Sequence, residues 1–245
     1  MSLFSKSFLM LIITWGSIVG ANRDCYEGEF VSDRICGTGT MTYASGSVYR
    51  GPWKENEKNG EGELRSGNGN VYTGEFRNDQ KHGRGKFLYA PGTVLEESYD
   101  GEWSRNLQHG DGTYAYRADV GIVYAGLWRE GRRHGRGTLR FKDGSVYLGD
   151  FRDEKRTGLG VFVRGDGARY EGRFLDGCYH GKGILLVAGE KYKGDFRQGK
   201  KHGFGKVDFP DGSSYEGEWA SGEIVGKGRY KLKHEIGFSV KTLGC

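Results

Sequence analysis

A single pattern of tyrosine, glycine and aromatic residues recurs along almost the whole chain and constrains its fold more than any other feature. One copy, at residues 124–137, reads Tyr-Ala-Gly-Leu-Trp-Arg-Glu-Gly-Arg-Arg-His-Gly-Arg-Gly. The nine copies begin at Tyr26, Tyr49, Tyr72, Tyr99, Tyr124, Tyr147, Tyr170, Tyr192 and Tyr215, with spacings of 22 to 27 residues. A nearly fixed period of this length predicts an array of small structural repeats, each packing on its neighbours.

Within each copy, apolar and polar residues alternate in a way that predicts two β-strands. We number positions from the first tyrosine, which is position 0. Position 2 is glycine and position 4 is phenylalanine or tryptophan in every copy, while positions 1 and 3 are mostly charged. Glycine recurs at positions 11 and 13, and position 15 is always apolar. Alternation with a period of two indicates half-exposed strands rather than a helix, so each copy predicts a β-hairpin.

The residue at position 7 predicts where each hairpin reverses. It is Gly, Asn or Asp in eight of the nine copies, and these residues tolerate the positive φ of a tight turn. We place a two-residue turn at positions 7 and 8, so that the position numbers of cross-strand partners sum to 15. The aromatic residue at position 4 then faces the glycine at 11, the glycines at 2 and 13 face each other, and the tyrosine faces position 15. One face therefore consists of rings lying over glycines, and the other face is charged.

Further turn sequences join successive hairpins, among them Asp143-Gly144, Asp166-Gly167 and Asp211-Gly212. Hydrophobic residues make up only 36% of the chain, too few for a thick core, which favours a thin sheet. The sequence thus predicts an all-β fold: an elongated, twisted, single-layer antiparallel sheet of about nine consecutive β-hairpins. The two longest spacings predict longer inter-repeat loops at residues 91–98 and 117–121.

The two ends differ in composition from the repeats. Residues 1–21 are hydrophobic, with Lys6 as a positive lead and small residues at Val19 and Ala21, as in a secretory signal peptide or an anchor. The alternative is a hydrophobic segment that docks on the first repeat. Residues 22–232 form the predicted repeat array, and we expect the tail at residues 233–245 to cover the last strand as a cap.

The pattern Tyr-x-Gly-x-(Trp/Phe)-x-x-Gly-x-x-x-Gly-x-Gly resembles the MORN repeat. Residues Gly126, Trp128, Gly131, His134, Gly135 and Gly137 stand where that motif expects them, and the resemblance covers residues 26 to about 232. Copies one to four and six depart from it, because position 7 is not glycine there. The resemblance implies an antiparallel β array that works as a scaffold, with links to membranes, phosphoinositides and cytoskeletal partners and with arrays that associate with one another. Some family members carry a lipid kinase or methyltransferase domain after the repeats, whereas nearly all residues of this sequence belong to repeats; we therefore expect no enzyme.

Residues with catalytic or metal-binding chemistry follow the repeat period instead of forming a separate motif. Histidine occupies position 10 in five copies, His82, His109, His134, His180 and His202. Equivalent positions on adjacent hairpins are roughly 10 Å apart, too far to share a zinc ion. The Gly-x-Gly pairs lack the helix and the Gly-Lys-Ser/Thr of a phosphate-binding loop. Cys25 and Cys36 lie roughly 20 Å apart in the predicted hairpin, so we expect no disulfide between them. We predict no catalytic residue, no metal site and no cofactor.

Two surfaces are candidate binding sites. The first is a basic rim, because positions 5 and 9 flank the predicted turn and both are basic in five copies. Its members are Lys54, Lys58, Arg77, Lys81, Arg129, Arg133, Arg152, Arg156, Arg197 and Lys201. The second is the aromatic face, represented by Tyr124, Trp128, Tyr147, Phe151, Tyr170, Phe174, Tyr192 and Phe196.

These surfaces lead to two functional hypotheses. The first is a non-catalytic scaffold or adaptor that binds protein partners, including a second copy of itself, at a membrane or cytoskeletal structure. The alternative is a module that binds phosphoinositide or another anionic phospholipid through the basic rim, at about 1 kcal/mol per basic residue. A net charge of +5 favours an anionic partner, and we expect no nucleic-acid partner because no nucleic-acid-binding module is recognisable. The sequence leaves two cellular locations as alternatives. One is association with a membrane, with a secretory signal at residues 1–21, and the other is the cytoplasm or the cytoskeleton.

Overall fold

The computed structural model describes residues 13–233 and the backbone of residues 241–243. Within these residues every regular element is a β-strand and no helix occurs. The chain divides into two compact units, the first ending at Gly110 and the second beginning at Asp111. The predicted all-β fold of consecutive antiparallel hairpins is confirmed in both units, while the overall extent of the array stays a prediction.

The first unit is an antiparallel succession of hairpins. Its strands are β1 (Ile13–Val19), β2 (Cys25–Val31), β3 (Arg34–Thr42), β4 (Val48–Lys54), β5 (Glu57–Lys58), β6 (Gly60–Arg65), β7 (Val71–Arg77), β8 (Gln80–Tyr89) and β9 (Glu97–Ser104). In the second repeat the returning strand is interrupted, so that β5 and β6 both pair with β4. The strand β10 (Leu107–Ala115) crosses the boundary between the units.

The second unit repeats the same arrangement. Its strands are β11 (Val123–Arg129), β12 (Arg132–Arg140), β13 (Val146–Arg152), β14 (Lys155–Val163), β15 (Arg169–Leu175), β16 (Cys178–Val187), β17 (Glu190–Arg197), β18 (Lys200–Asp208), β19 (Ser214–Ala220), β20 (Glu223–Lys231) and β21 (Lys241–Leu243). The predicted inter-repeat loops are confirmed, because residues 90–96 and 116–122 lie between strands.

The hairpin turn lies one residue earlier than the sequence predicted. In the hairpin of Tyr124, Arg129 pairs with Arg132, so positions 6 and 7 form the turn instead of positions 7 and 8. Both turn residues have positive φ, 50° at Glu130 and 77° at Gly131, which is the pattern of a type I′ turn. The predicted pairs of position 2 with 13 and of position 0 with 15 are confirmed, whereas the predicted pair of position 4 with 11 is wrong.

A bulge in the returning strand explains why positions 2 and 13 still pair although the turn lies one residue earlier than predicted. In the hairpin of Tyr124, Gly126 pairs with Gly137 but Trp128 pairs with Arg133, so three residues of one strand oppose one residue of the other. Gly135, at position 11, lies within this bulge at a φ of 66°, where glycine is favoured. Gly135 pairs with Phe151, the position-4 ring of the next repeat. Six further position-4 rings likewise lie opposite a glycine of the preceding repeat and not of their own: Trp53, Phe76, Trp103, Phe174, Phe196 and Trp219. Phe30 of the first repeat lies opposite Thr14 of β1.

The core of each unit is a run of aromatic rings packed edge to face. The ring centre of Tyr124 lies 5.3 Å from that of Trp128 and 5.1 Å from that of Phe151, nearly perpendicular to both. In the first unit Tyr49 contacts one ring of its own repeat and one of the next in the same geometry. Each such pair contributes about 0.5–1.5 kcal/mol beyond the burial of its area. A Cβ atom added to Gly137 would lie 2.5 Å from the Tyr124 ring, so the predicted packing of rings over glycines is confirmed.

The tyrosine hydroxyl explains why position 0 is not phenylalanine. It donates a hydrogen bond to the backbone carbonyl at position 3, next to the register shift: Tyr124 donates to Leu127 at 2.8 Å, and Tyr147 to Asp150 at 2.9 Å. Burial raises the pKa of Tyr192 to about 12, with a further contribution from the negative charge of Asp195, so the phenol remains a donor at neutral pH.

At the N-terminal end, β1 pairs antiparallel with β2, placing Ile13 opposite Val31 and Val19 opposite Cys25. Residues 13–19 thus take the docked arrangement that was the alternative to a signal peptide or anchor. Residues 1–12 lie outside the described residues, and the signal or anchor stays a prediction. Among the residues that are described, none belongs to a helix of the length and apolarity needed to span a bilayer.

At the C-terminal end, the backbone of β21 pairs antiparallel with β20, placing Leu243 opposite Gly228. This pairing is the arrangement expected of a cap on the last repeat. The rest of the predicted tail, at residues 234–240 and 244–245, lies outside the described residues.

Candidate functional site

The ten predicted rim cations divide between the two faces of the sheet, so the prediction that they form one line is wrong. We call the face with positions 0, 4, 9 and 15 the ring face, and the face with positions 1, 3, 5, 8, 12 and 14 the outer face. Position 9 belongs to the ring face because it pairs directly with position 4. Partly buried on the ring face are Lys58, Lys81, Arg133, Arg156 and Lys201, and exposed on the outer face are Lys54, Arg77, Arg129, Arg152 and Arg197.

The ring-face cations are part of the packing. The Arg133 guanidinium carbon lies 5.6 Å from the ring centres of both Tyr124 and Phe151, and Arg133 Nε donates to Glu154 at 2.8 Å. Cation–π contacts of this kind contribute about 0.5–2 kcal/mol. Since Phe151 and Glu154 belong to the next repeat, Arg133 fastens consecutive repeats together and is not free for a ligand.

Lys58 and Lys81 occupy the same position in neighbouring repeats but have different partners. Burial is the largest single influence on Lys58 and disfavours its charge, yet Asp79, at 2.8 Å, and the Tyr43 hydroxyl, at 3.3 Å, together outweigh burial and raise the Lys58 pKa. At Lys81 the residue equivalent to Asp79 is the neutral Asn106, which accepts a hydrogen bond from the Lys81 backbone N–H at 2.9 Å. The Lys81 amine lies 4.1 Å from the ring centre of Phe87, and burial lowers its pKa to about 8.

The eight aromatic residues predicted as a second binding surface belong to the core. None of them is more than 6% exposed; they are Tyr124, Trp128, Tyr147, Phe151, Tyr170, Phe174, Tyr192 and Phe196. Their packing on each other and on the position-9 side chains leaves no free ring surface for a ligand, so their burial argues against the predicted binding role.

The structure groups a different set of cations, which sequence reasoning missed. Position 8 pairs with position 5 on the outer face, and in three repeats of the second unit both residues are basic. These outer basic pairs are Arg129 with Arg132, Arg152 with Lys155, and Arg197 with Lys200, and all six side chains are exposed. Only one of the six takes part in an ion pair within the described residues, Lys155 with Asp176 at 3.1 Å.

One outer basic pair borders a polar recess of about 260 Å³. It is lined by Arg197, Gln198, Lys200, His202 and Ser221. Two cations beside hydrogen-bonding side chains form a setting that suits an anion with several oxygens, such as a phosphate group.

The outer face of the second unit also exposes apolar side chains. Leu148 is 55%, Leu159 57% and Phe204 55% exposed, and Leu148 pairs directly with Val161. In the first three repeats, which lie in the first unit, positions 1, 3, 12 and 14 hold only charged residues, threonine and one proline. The two units therefore present outer faces of different chemistry.

The histidines and cysteines of residues 13–233 form neither a potential metal-binding cluster nor a disulfide. No group of three or more potential metal ligands occurs among those residues. Cys25, Cys36 and Cys178 are free thiols. Cys25 lies opposite Thr42, at the end of the first hairpin away from its turn, while Cys36 follows Ile35 near the turn.

Comparison with known proteins identifies the repeat. The family model described as MORN repeat matches residues 26–48, 49–71, 72–94, 99–118, 124–146, 147–169, 170–186, 192–214 and 215–233, well over half of the chain. Each match begins at one of the nine predicted tyrosines. MORN repeat-containing protein 3 from Xenopus laevis is 43% identical over 51 residues, which are 21% of this chain and 21% of that protein.

Two solved structures show limited similarity. The TCP domain of SAS-4 from Drosophila melanogaster, in complex with a proline-rich motif of Ana2, is 13% identical with a TM-score of 0.38, covering 71% of this chain and 84% of that one. A catalytically inactive virginiamycin B lyase from Staphylococcus aureus with quinupristin is 9% identical with a TM-score of 0.17, covering 94% and 83%. At these TM-scores the likenesses carry no argument about fold or function.

Proposed function

This chain belongs to the MORN-repeat family, and on that premise we propose that it is a non-catalytic scaffold that binds protein partners through its outer face. The proposal includes a location at a membrane or cytoskeletal structure, and a second copy of the chain as one kind of partner. The side chains of the ring face are buried by packing between repeats. Partner proteins would therefore contact the side chains of the outer face.

The observation that carries this proposal is the exposed apolar cluster of Leu148, Leu159 and Val161 on the outer face of the second unit. Two of these side chains are more than half exposed, although the rings of the same repeats are almost completely buried. Exposed apolar clusters rimmed by polar residues are typical of protein interaction surfaces.

The test replaces Leu148 and Leu159 together with arginine in the full chain. We expect partners cross-linked to the wild-type protein in its native cells to be lost from the double variant. The matched control is Thr73→Arg, an exposed outer-face position of the first unit, which should retain them. An unchanged set of cross-linked partners in the double variant, with its circular dichroism spectrum intact, would contradict the proposal.

A second candidate function is binding of anionic phospholipid headgroups by the outer basic pairs. The recess beside Arg197 and Lys200 supports it, because its lining suits a phosphate group. Each cation near an anionic membrane contributes about 1 kcal/mol.

Vesicle sedimentation tests the lipid function. We expect Arg197→Glu with Lys200→Glu to abolish binding to phosphatidylcholine vesicles that contain a phosphatidylinositol bisphosphate. Arg77→Glu, whose position-8 partner is the neutral Gln80, is the control and should retain it. Binding that persists in the double variant, or no binding by the wild type, would count against the lipid function.

A further inference from the structure

A groove of about 560 Å³ lies on the outer face of the second unit, between the seventh and ninth repeats. Three glycines in register, Gly183, Gly194 and Gly205, form its floor. The side chains around them are Lys182, Ile184, Lys193, Phe204, Lys206 and Glu216. This groove is separate from the exposed cluster at Leu148 and from the outer basic pairs.

The groove offers an exposed aromatic ring. Phe204 is 55% exposed and occupies position 12, where none of the other eight repeats has an aromatic residue. It contributes nothing to the core because it points away from the ring face. Ile184 is partly buried and lines the same groove from β16, with β17 between it and Phe204 on β18. An exposed ring and an aliphatic side chain on opposite sides of one groove are typical of a surface that anchors an apolar residue of a partner.

Three lysines and one glutamate line the groove. Lys193 pairs directly with Lys206 across β17 and β18, and like charges in directly opposite positions destabilise a sheet. Lys182 is compensated by Asp195 at 2.8 Å and Lys206 by Asp208 at 2.6 Å. Lys193 has no carboxylate partner in the part of the chain that the structure describes. A carboxylate supplied from outside would relieve the repulsion between Lys193 and Lys206.

We propose that this groove binds an extended acidic segment of a partner protein, with an apolar side chain between Ile184 and Phe204 and a carboxylate between Lys193 and Lys206. This inference rests on the proposed scaffold function and specifies its surface and the chemistry of its partner. The glycine floor is a row of backbone that an extended chain can approach closely. Glu216 lies directly opposite Lys206 and interrupts the positive charge of the groove, which suits a few well-placed carboxylates better than the continuous charge of a membrane.

Fluorescence anisotropy with the full chain tests the groove. The probe is a labelled peptide that alternates glutamate with leucine and phenylalanine, and the comparison peptide has lysine in place of glutamate. We expect the acidic peptide alone to bind, more weakly as salt is raised. Lys193→Glu with Lys206→Glu should weaken binding at least about tenfold, and Phe204→Ala about tenfold. The control Lys86→Glu, on the outer face of the first unit, should bind as the wild type does.

Equal affinity of the wild type and these variants, or equal binding of the basic peptide, would overturn the inference. Vesicle binding that disappears in the Lys193 and Lys206 double variant while peptide binding persists would overturn it in favour of a membrane. Circular dichroism and urea unfolding of each variant establish that the sheet is intact.

A photo-cross-linking residue at position 204 or at position 159 separates this inference from the proposed function. Protein adducts at 159 but not at 204 would refute the groove and leave the scaffold standing. Adducts at neither position would refute both. Adducts at 204 that the acidic peptide displaces, and that the lysine reversals remove, support the groove.

Discussion

The ring face and the outer face differ in how strictly the repeat specifies them. On the ring face, position 0 is tyrosine and position 4 is phenylalanine or tryptophan in all nine repeats. On the outer face, position 12 takes seven different residue types: Thr38, Glu61, Arg84, Asp111, Arg136, Leu159, Lys182, Phe204 and Lys227. A ring and the glycine beneath it must fit each other, whereas an outer-face side chain meets solvent. The ring face therefore holds the fold, and the outer face is free to carry specificity.

The largest expected difference between the faces comes from adding one methyl group. Gly137→Ala on the ring face should destabilise the protein by about 3 kcal/mol, because the new Cβ would lie 2.5 Å from the Tyr124 ring. Thr138→Ala, the next residue and on the outer face, should cost less than about 1 kcal/mol. Urea unfolding followed by circular dichroism measures both values, and equal losses would break the distinction between the faces.

A smaller effect should follow from removing a single hydroxyl. Tyr124→Phe leaves the Leu127 carbonyl without its 2.8 Å hydrogen bond and should cost about 1–2 kcal/mol. The control is Tyr179→Phe, because the described residues provide the Tyr179 hydroxyl with no hydrogen-bond partner; it should change stability by less than about 0.5 kcal/mol. A tolerated Tyr124→Phe would mean that ring packing alone selects tyrosine at position 0.

Two arginines of one hairpin compare the faces directly. Arg133→Ala on the ring face should cost about 1–2 kcal/mol, since it removes ring contacts and the hydrogen bond to Glu154. Arg129→Ala on the outer face should cost less than about 0.5 kcal/mol. Thermal and urea unfolding of the two variants test the assignment of position 9 to the core. A larger loss of stability in Arg129→Ala than in Arg133→Ala would refute that assignment.

The smallest effect on stability is expected from the titration of Lys81, whose amine should lose its proton at a lower pH than an ordinary lysine. Its amine should titrate near pH 8, and the ordinary lysine pKa in the unfolded chain is about 10.4. Because the unfolded chain binds more protons between these values, this group makes stability rise as the pH rises from about 8 to 10.4. Asn106→Asp supplies the carboxylate that Asp79 provides for Lys58, and should raise the Lys81 pKa.

The rate of Nε acylation at each lysine as a function of pH, followed by mass spectrometry, measures the Lys81 titration. Exposed Lys54 in the same sample is the control. If Lys81 and Lys54 reacted with the same pH dependence, burial would not be depressing the Lys81 pKa.

Much of the fold could be predicted from the sequence, because the repeat presents the same pattern nine times. The strands, the pairs of position 2 with 13 and of position 0 with 15, and the inter-repeat loops followed from alternation and turn chemistry. The turn was misplaced because the residue that tolerates positive φ, at position 7, is compatible with a turn at positions 6 and 7 as well as with one at positions 7 and 8. The bulge at Gly135 was missed because a glycine in a strand pattern is equally consistent with close ring packing.

The error in the turn explains the errors in the candidate site. In the predicted register position 9 lies opposite position 6 instead of position 4, so its basic residues seem to share a rim with position 5. Ile35, Tyr179 and Ile224 occupy position 9 in three repeats and could have indicated a buried face. Pairs such as Arg129 with Arg132 could not be found without the correct turn. The identity of a partner is not encoded in a pattern that serves packing.

The pairing of Phe151 with Gly135 determines which insertions and deletions such a chain can tolerate. Because the ring and the glycine opposite it belong to consecutive repeats, a tolerated deletion or duplication must span one full repeat period. The residue at which that period begins does not matter. Deletion of a whole period places each position-4 ring opposite an equivalent position-11 glycine. Deletion of part of a period places a ring opposite a residue that has a side chain. Genetic gain and loss of whole copies would thus alter the number of outward-facing surfaces without redesigning the interior.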